Sequence, residues 1–452
     1  MNGRNPLVQL LLAAAIFHIT ISFIVFVVGR TQLLPNTFDQ YGTGTSFVID
    51  SVTYREEGVK MAALLQAGQV REWISLKSPV LSKFHLRLYS IALALLGPVL
   101  GYGVLAVEPV NLAYYLVMIF LTFRIGSALF SDWVGQLSAI IVGMWPSLLM
   151  HTTQMMRDPL FICAFLLLIY CLLCGLQEGL STKKVILSNA GVVAGLCLIL
   201  LSKANVWEVI LSVLVLWVAC CIVVQLKQRA LHWSRGVMIL VVTLSAVVLP
   251  RVIPHFRLAD GPTVSSRASK PVDLNVLSSN PWTRLVARIG SSRHRFIVRY
   301  PDAGSNVDSD VELNGTADLM RYLPRAAEIG FLAPFPVMWF QQGVRVGLGG
   351  RLVAGVEMVA VYLCLIAVAT TLVHDRRHPE VWFLFAAASS GCLALGYVVI
   401  NIAALYRMRY AYFVVLLVLT ARGVQIIRGL KKARITSAIA GSGQPFGHSS
   451  LR

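Results

Sequence analysis

The stretch PLFICAFLLLIYCLLCGLQ, residues 159–177, decides the fold of this chain. It carries no charged side chain and is long enough to match the hydrocarbon core of a bilayer, which is about 30 Å thick. Lipid offers no partners to free backbone groups, so a stretch of this kind must be helical. These residues therefore predict a membrane-spanning helix.

Similar apolar stretches lie on both sides of it. The full set is 7–29, 87–107, 111–130, 133–152, 159–177, 185–202, 205–225, 235–253, 352–373, 380–400 and 410–427. With 57% hydrophobic and 13% charged residues in 452, the chain has too little polar surface for a water-soluble globule. The sequence predicts an all-α polytopic membrane protein with about ten or eleven transmembrane helices.

Basic residues in short loops and tails mark the cytoplasmic face of such a protein. They occur in the 226–234 loop, at Arg376 and Arg377, and after residue 427. This pattern also explains the net charge of +18, so we do not expect nucleic-acid binding. Counting back from the 226–234 loop places Asp158 on the outer face, and counting from the N-terminus places the 30–86 loop there too.

These two placements constrain the three stretches between them, 87–107, 111–130 and 133–152. They must connect one outer point to another, which requires an even number of crossings. We therefore predict ten full crossings, with both termini cytoplasmic and one of the three stretches re-entrant, broken or interfacial.

The polar regions divide the chain into four parts. Residues 1–253 form an N-terminal transmembrane module that includes the outer loop 30–86, and residues 254–330 form an extracytoplasmic cap. Residues 331–434 form a C-terminal transmembrane module whose first ten residues, interrupted by two prolines, are predicted to be interfacial. Residues 435–452 are predicted to be a disordered cytoplasmic tail.

Asp50 is the first candidate for chemistry. If the segment around it is helical, Asp50 and Tyr54 share one face at i,i+4 spacing. A carboxylate at the membrane surface can accept a proton from a hydroxyl group. The alternative is a helix N-cap, with Thr53 and Glu56 completing a capping pattern.

Asp158 is the second candidate, in Arg157-Asp158-Pro159 directly before the stretch quoted above. Aspartate at the N-cap followed by proline is a sufficient structural explanation. A helix N-terminus beside an arginine is also an anion site, and an acid there can orient an acceptor or hold a divalent cation. Both interpretations stay open on the sequence alone.

Further cations can face the same outer side. Lys203 separates two predicted helices, and Arg407 and Arg409 lie in the 401–410 turn. The densest basic cluster is in the cap region and consists of Arg284, Arg288, Arg293, Arg295 and Arg299, with His294. Guanidinium groups match phosphate oxygens, so a lipid phosphate or pyrophosphate is the natural ligand. For the cap cluster, contact with anionic lipid headgroups or solvation is the alternative.

Two histidines lie in or beside apolar stretches. His85 can line the same cavity from the start of the second apolar stretch, and His18 lies within the first. A single histidine at an interface is more often solvated than functional.

Together these features resemble the GT-C class of membrane glycosyltransferases. The resemblance rests on Asp50 with Tyr54, on the stretch from Trp145-Pro146-Ser147 to Arg157-Asp158-Pro159, and on the 401–409 turn with its two arginines. Many members carry an adjacent acidic pair where this chain has a lone Asp50, which makes Asp39 a rival for its role.

The resemblance implies a polyprenyl-phosphate or pyrophosphate sugar donor, an envelope glycan or lipid acceptor, and inversion at the anomeric carbon. Transfer would occur at the outer face of the bacterial inner membrane. Asp50 would be the general base, and Asp158 would orient the acceptor or help to hold Mg²⁺ or Mn²⁺, although metal dependence varies within the class. The predicted substrate-binding residues are Tyr54, His85, Arg157, Lys203, Arg293, Arg295, Arg407 and Arg409.

Two rival functions fit the same architecture. A polysaccharide repeat-unit polymerase or ligase also joins lipid-linked glycans at the outer face. A flippase for lipid-linked sugars would carry no chemistry and should show paired half-repeats with charges in mid-helix. The charges singled out here lie at helix ends, which favours an enzyme.

Overall fold

The computed structural model describes residues 6–33, 49–75, 83–229, 232–253, 281–299, 301, 303–341 and 347–442. In chain order the helices of these residues are α1 Pro6–Arg30, α2 Ile49–Gln66, α3 Val70–Ser75, α4 Lys83–Leu100, α5 Val104–Leu129, α6 Asp132–Gly143, α7 Pro146–Thr152, α8 Asp158–Leu176, α9 Thr182–Lys203, α10 Trp207–Gln228, α11 Trp233–Val252, α12 Pro281–Arg299, α13 Thr316–Leu332, α14 Pro336–Trp339, α15 Gly347–His374, α16 Pro379–Val398, α17 Ile402–Met408 and α18 Tyr410–Ser442. Within this part of the chain, the β-type pairing is a single bridge between Asn306 and Asn401. The predicted all-α polytopic fold is confirmed.

Eight helical stretches of the described chain are long and apolar enough to cross a membrane, or up to nine if a bent helix pair counts as one span. One of the eight, Thr182–Gln228, joins α9 and α10 and reverses direction. Lys203 has φ −145° and ψ 68°, outside the helical region. The Gln228 side chain at the end of α10 donates to Glu178, just before α9, so both ends lie on the same side. Counting α9 and α10 separately and the bent pair as one span gives ten candidate crossings among the described residues, which is the number predicted.

The structure identifies the segment that does not cross. The start of α4 and the turn just after it both contact α2: the His85 ring lies 4.8 Å from the Tyr54 ring, and Arg55 donates to the Tyr102 carbonyl at 2.6 Å. The two ends of α4 therefore lie at the same end of the bundle. The stretch 87–107 is therefore the one of the three that does not form a full span, and the helix in it stops at Leu100, where Gly101, with φ +79°, turns the chain into α5.

The third of those segments is broken. Helices α6 and α7 meet at an angle of 68° between Gly143 and Pro146. Helix α7 therefore runs at an angle to α6, and residues 153–157 connect it to α8. Helix α8 is buried along most of its length against α5 and α9 and forms the centre of the bundle.

Two predicted boundaries differ from the structure. Helix α13 runs from Thr316 to Leu332, across the predicted limit between cap and C-terminal module, and packs closely on α16 where Gly330 meets the Cys392 carbonyl. The tail predicted to be disordered from residue 435 is helical as far as Ser442. Residues 254–280 of the predicted cap and residues 443–452 of the tail lie outside the described residues.

Candidate active site

Four ionisable side chains from distant parts of the chain form a continuous series of ion pairs. Lys203 pairs with Oδ1 of Asp158. Arg407 Nε lies 3.3 Å from Oδ2 of Asp158, and Arg407 Nη2 lies 2.7 Å from Oδ2 of Asp50. The structure thus brings together both predicted catalytic carboxylates and two of the predicted cations. We call the end of the bundle where they meet the site end.

Helix ends position these groups. Asp50 lies in the first turn of α2 and Asp158 begins α8, so both carboxylates lie where the helix dipole favours negative charge. Lys203 is the last residue of α9, where the dipole favours a cation. Arg407 lies in the last turn of the short helix α17. The helix dipoles thus stabilise these charges in addition to the ion pairs between the side chains.

The N-cap interpretation of Asp158 is wrong. Arg157 occupies the N-cap position of α8 and makes no side-chain capping hydrogen bond, whereas Asp158 is the first helical residue. The Asp158 carboxylate instead carries one cation on each oxygen. Pro159 is the second helical residue, one position later than predicted, and is still within the first turn, where its missing N–H costs nothing.

The two carboxylates differ in their access to solvent. The Asp158 side chain is 6% exposed and the Asp50 side chain is 37% exposed. Burial of Arg407 works against its charge, but Asp158 and Asp50 outweigh burial and raise the pKa of the guanidinium above its ordinary value. Arg407 is therefore a permanent cation that links a buried acid to an accessible one.

Three further predicted residues border this series. Tyr54 and His85 are buried with their rings edge to face. Burial raises the pKa of Tyr54 to about 12; Arg157 opposes the rise, and Asp50 and Asp158 add to it. Arg157 is half-buried, and its guanidinium has no hydrogen-bond or ion-pair partner among the described residues. The site thus holds one cation that its carboxylates do not neutralise.

The remaining predicted arginines are placed elsewhere. Arg293 is 1% exposed and donates to the carbonyls of Val311, Tyr397 and Asp308. It holds the loop before α13 in place and does not reach the ion-pair series. Arg295 is exposed on α12 and donates to Ser292.

Arg409 is also engaged by the protein itself, although it lies only two residues from Arg407. It is buried and donates to the Ala333 carbonyl at 2.5 Å and to the sulfur of Met358 at 2.9 Å. Its guanidinium lies 4.7 Å from the centre of the Tyr406 ring. These contacts fix the start of α18.

Sequence reasoning missed Glu357, a buried acid about a third of the way along α15. Its carboxylate accepts from the backbone N–H of Ser147 at 2.6 Å, from the Ser147 hydroxyl at 2.5 Å and from the hydroxyl of Tyr406. The hydroxyl of Tyr410 donates to Ser147 at 2.5 Å. Glu357 thereby ties α15 to α7, which leads to Arg157, and to α17, which carries Arg407. A lone glutamate inside an apolar stretch was the available signal.

His18 is a second departure, since it is fully buried rather than solvated. Its Nδ1 lies 2.8 Å from Glu108, and its Nε2 lies 3.1 Å from the hydroxyl of Thr152. Ionisable groups such as His18 in α1 and Glu357 in α15 therefore lie within apolar helices as well as at helix ends.

The divalent cation, Mg²⁺ or Mn²⁺, stays a prediction. In the described part of the chain, no three His, Cys, Asp or Glu side chains come together as metal ligands. Both oxygens of Asp158 and one oxygen of Asp50 already carry a cation. A metal ion at Asp158 would have to displace Lys203 or Arg407.

Comparison with known proteins gives no sequence match to a family model or to a curated protein. Among solved structures, the chain is similar to ArnT from Cupriavidus metallidurans bound to undecaprenyl phosphate. The TM-score is 0.38 and the identity 16%, over 96% of this chain and 82% of that one. It is also similar to the archaeal oligosaccharyltransferase AglB from Archaeoglobus fulgidus in complex with an inhibitory peptide and a dolichol-phosphate. There the TM-score is 0.45 and the identity 12%, over 96% of this chain and about half of that one, 53%.

Proposed function

We propose that this protein is a membrane glycosyltransferase that moves a sugar from a polyprenyl-phosphate or pyrophosphate donor to an envelope glycan or lipid. The observation that carries the proposal is the convergence of Asp50, Asp158, Arg157, Lys203 and Arg407 at one end of a membrane-spanning bundle. Ionisable groups at membrane depth carry a large desolvation cost, so a gathering of them is typical of a functional site.

The charge balance of the site supports a phosphate ligand. Arg157, Lys203 and Arg407 set against the two carboxylates leave one net positive charge. A polyprenyl-phosphate sugar carries one negative charge as a phosphodiester. When the bond from the anomeric carbon to the phosphate oxygen breaks, that oxygen keeps the electron pair and the leaving group gains a second negative charge. A fixed excess of cations stabilises that charge in the transition state more than in the ground state.

Asp50 is the better general base of the two acids. Its side chain is open to solvent, and one oxygen has no ion pair among the described residues, so an acceptor hydroxyl can reach it. Asp158 is enclosed and both its oxygens are occupied. We assign to Asp158 the positioning of Lys203 and Arg407. Asp39, the rival base, lies outside the described residues.

Arg157 is assigned to the donor phosphate. Among the described residues, no side chain engages its guanidinium, and it lies at the N-terminus of α8, which itself favours an anion. Tyr54 keeps its proton at neutral pH, as its raised pKa requires, and can donate a hydrogen bond to the substrate. His85 packs against Tyr54 and holds it in place.

The opposite end of the bundle supports a proposal for the side of the membrane. There the Lys227 ammonium donates to the carbonyl of Arg377, so two of the basic loops meet. Clustered basic loops face the cytoplasm. We therefore place the site on the outer face of a bacterial inner membrane.

The direct test is transfer in vesicles that contain the purified protein and a pool of polyprenyl-phosphate sugars. We expect release of polyprenyl phosphate only when an acceptor is present, with one sugar added per acceptor. A ladder of product lengths would instead indicate the polymerase. Movement of the donor between leaflets without release of phosphate would indicate the flippase and would overturn the proposal.

A further inference from the structure

The exposed face of α12 carries a straight row of arginines. Arg284, Arg288, Arg295 and Arg299 are all exposed, whereas Val286 and Arg293 are buried. At about 100° per residue, these four positions fall within about 60° of one another around the helix. They extend over about 22 Å at a rise of about 1.5 Å per residue. We call these four residues the arginine row.

Arg288, within the row, lies at the level where a spanning helix ends. Arg288 Nη1 lies 2.5 Å from the carboxylate of Glu208, the second residue of α10. Glu208 is within one turn of the end of that crossing, which places Arg288 at the membrane surface rather than above it. Trp282, at the start of α12, is half exposed, as is usual for tryptophan at a membrane interface.

The buried face fixes the direction in which the row points. Arg293 is anchored by three carbonyls, and its guanidinium lies 4.8 Å from the centre of the Tyr322 ring. Helix α12 therefore cannot rotate without breaking these bonds. The row is held on the side of Glu208, toward the headgroup layer around α10.

We propose that the arginine row binds the phosphates of anionic phospholipids in the leaflet at the site end. Charge complementarity and a position at headgroup level both favour this occupant. The length of the row also favours it, because a single phosphate or pyrophosphate group covers only a small part of about 22 Å. This inference does not depend on the proposed enzymatic activity.

The test uses the full-length protein in nanodiscs that contain a photoreactive phosphatidylglycerol, with mass spectrometry of the labelled peptides. We expect lipid adducts on peptides from α12. In the variant with Arg284→Gln, Arg288→Gln, Arg295→Gln and Arg299→Gln, α12 labelling should fall at least about tenfold, since each basic residue at the surface contributes roughly a fivefold preference. A photoreactive phosphatidylcholine should label α12 weakly in both proteins.

The matched control removes the same charge elsewhere, with Lys183→Gln, Lys184→Gln, Arg376→Gln and Arg377→Gln at the opposite end. It should leave α12 labelling unchanged. A second variant with lysine at the four row positions should keep the labelling, which separates loss of charge from misfolding. The proposal is overturned if α12 is unlabelled in the native protein or labelled equally in the glutamine variant. It is equally overturned if a trace of polyprenyl phosphate displaces the label and phosphatidylglycerol does not.

Discussion

Two sets of buried or half-buried charges lie at the two ends of the same bundle. At the end opposite the site, Arg422 faces both oxygens of Asp375 at 2.8 and 3.1 Å. The same guanidinium donates to Gln425 and lies 5.4 Å from the centre of the Phe130 ring. At the site end, two carboxylates share two cations, Lys203 and Arg407, and a third cation, Arg157, has no partner among the described residues.

The difference is between a balanced ion pair, which we call the closed pair, and a set of charges that is not balanced. Asp375 and Arg422 satisfy each other one to one, so the pair has no charge left over for a ligand. The site end has surplus positive charge and a carboxylate that water can reach. A buried ion pair adds little net stability by itself, so an unbalanced set is more informative than a balanced one. The comparison predicts that changes at the site end affect chemistry and changes at the opposite end affect stability.

The largest effect is expected for Asp50→Asn. Asparagine keeps the size of the side chain but cannot accept a proton, and loss of a general base costs about 10²- to 10⁴-fold in rate. Transfer in vesicles should fall by about that factor, whereas thermal unfolding in detergent should change little because the Asp50–Arg407 pair is partly exposed.

Glu56→Gln is the matched control for Asp50→Asn. Glu56 lies on the same helix, is exposed, and undergoes the same loss of charge. It should leave transfer unchanged. Full activity in the Asp50→Asn protein would refute the assigned base and return attention to Asp39.

Arg157→Gln should have the next largest effect. Removal of one preorganised group that stabilises developing charge costs about 10²-fold or more. We expect that loss in the rate at saturating donor, measured as release of polyprenyl phosphate. Arg422→Gln removes the same group at the opposite end and should leave the rate per folded molecule unaltered. Equal losses in the two variants would remove the distinction between the two ends.

Glu357 lies near the site, but its hydrogen bonds come from hydroxyl and amide donors and not from cations. It therefore tests whether an acid near the site can affect stability more than transfer. Glu357→Gln places an amide N–H opposite donors that need an acceptor, and unsatisfied buried groups cost about 1–3 kcal/mol. We expect a drop of that size in the free energy of unfolding. Transfer per folded molecule should fall less than in Arg157→Gln. Tyr406→Phe, which removes one of the three donors, should show a smaller loss of stability in the same measurement.

The sequence predicted the spans well because apolar length alone determines them. It placed the break between the stretches 87–107 and 111–130 at Glu108-Pro109-Val110, although these residues lie inside α5. Glu108 is tolerated there because His18 from α1 pairs with it. A partner ninety residues away leaves no local signal, so the helix break at Gly101 could not be located from composition.

The candidate site divides in the same way. Asp50, Asp158, Lys203 and Arg407 could be grouped because topology brings the ends of their helices to one face. Arg293 and Arg409 have the same residue type in similar positions, but they donate to carbonyls that only the tertiary fold brings near. The charge of an arginine and its position along the chain do not show whether its guanidinium binds a substrate phosphate or a backbone carbonyl.

The smallest effect concerns pH and the closed pair. Burial alone would raise the pKa of Asp375, but hydrogen bonds and charge from Arg422 lower it below its ordinary value. A depressed pKa means that the pair stabilises the folded protein above the unfolded pKa of about 4 and stops doing so as pH falls through the folded value. Asp375→Asn should therefore be less stable than the native protein by about 1 kcal/mol near neutral pH. The gap should shrink in acid, as followed by thermal unfolding across pH in detergent. If the difference in stability stayed constant into acid, Asp375 would act through packing and not through its charge. The acids at the two ends of the bundle would then differ in the type of interaction they make, and not only in charge balance.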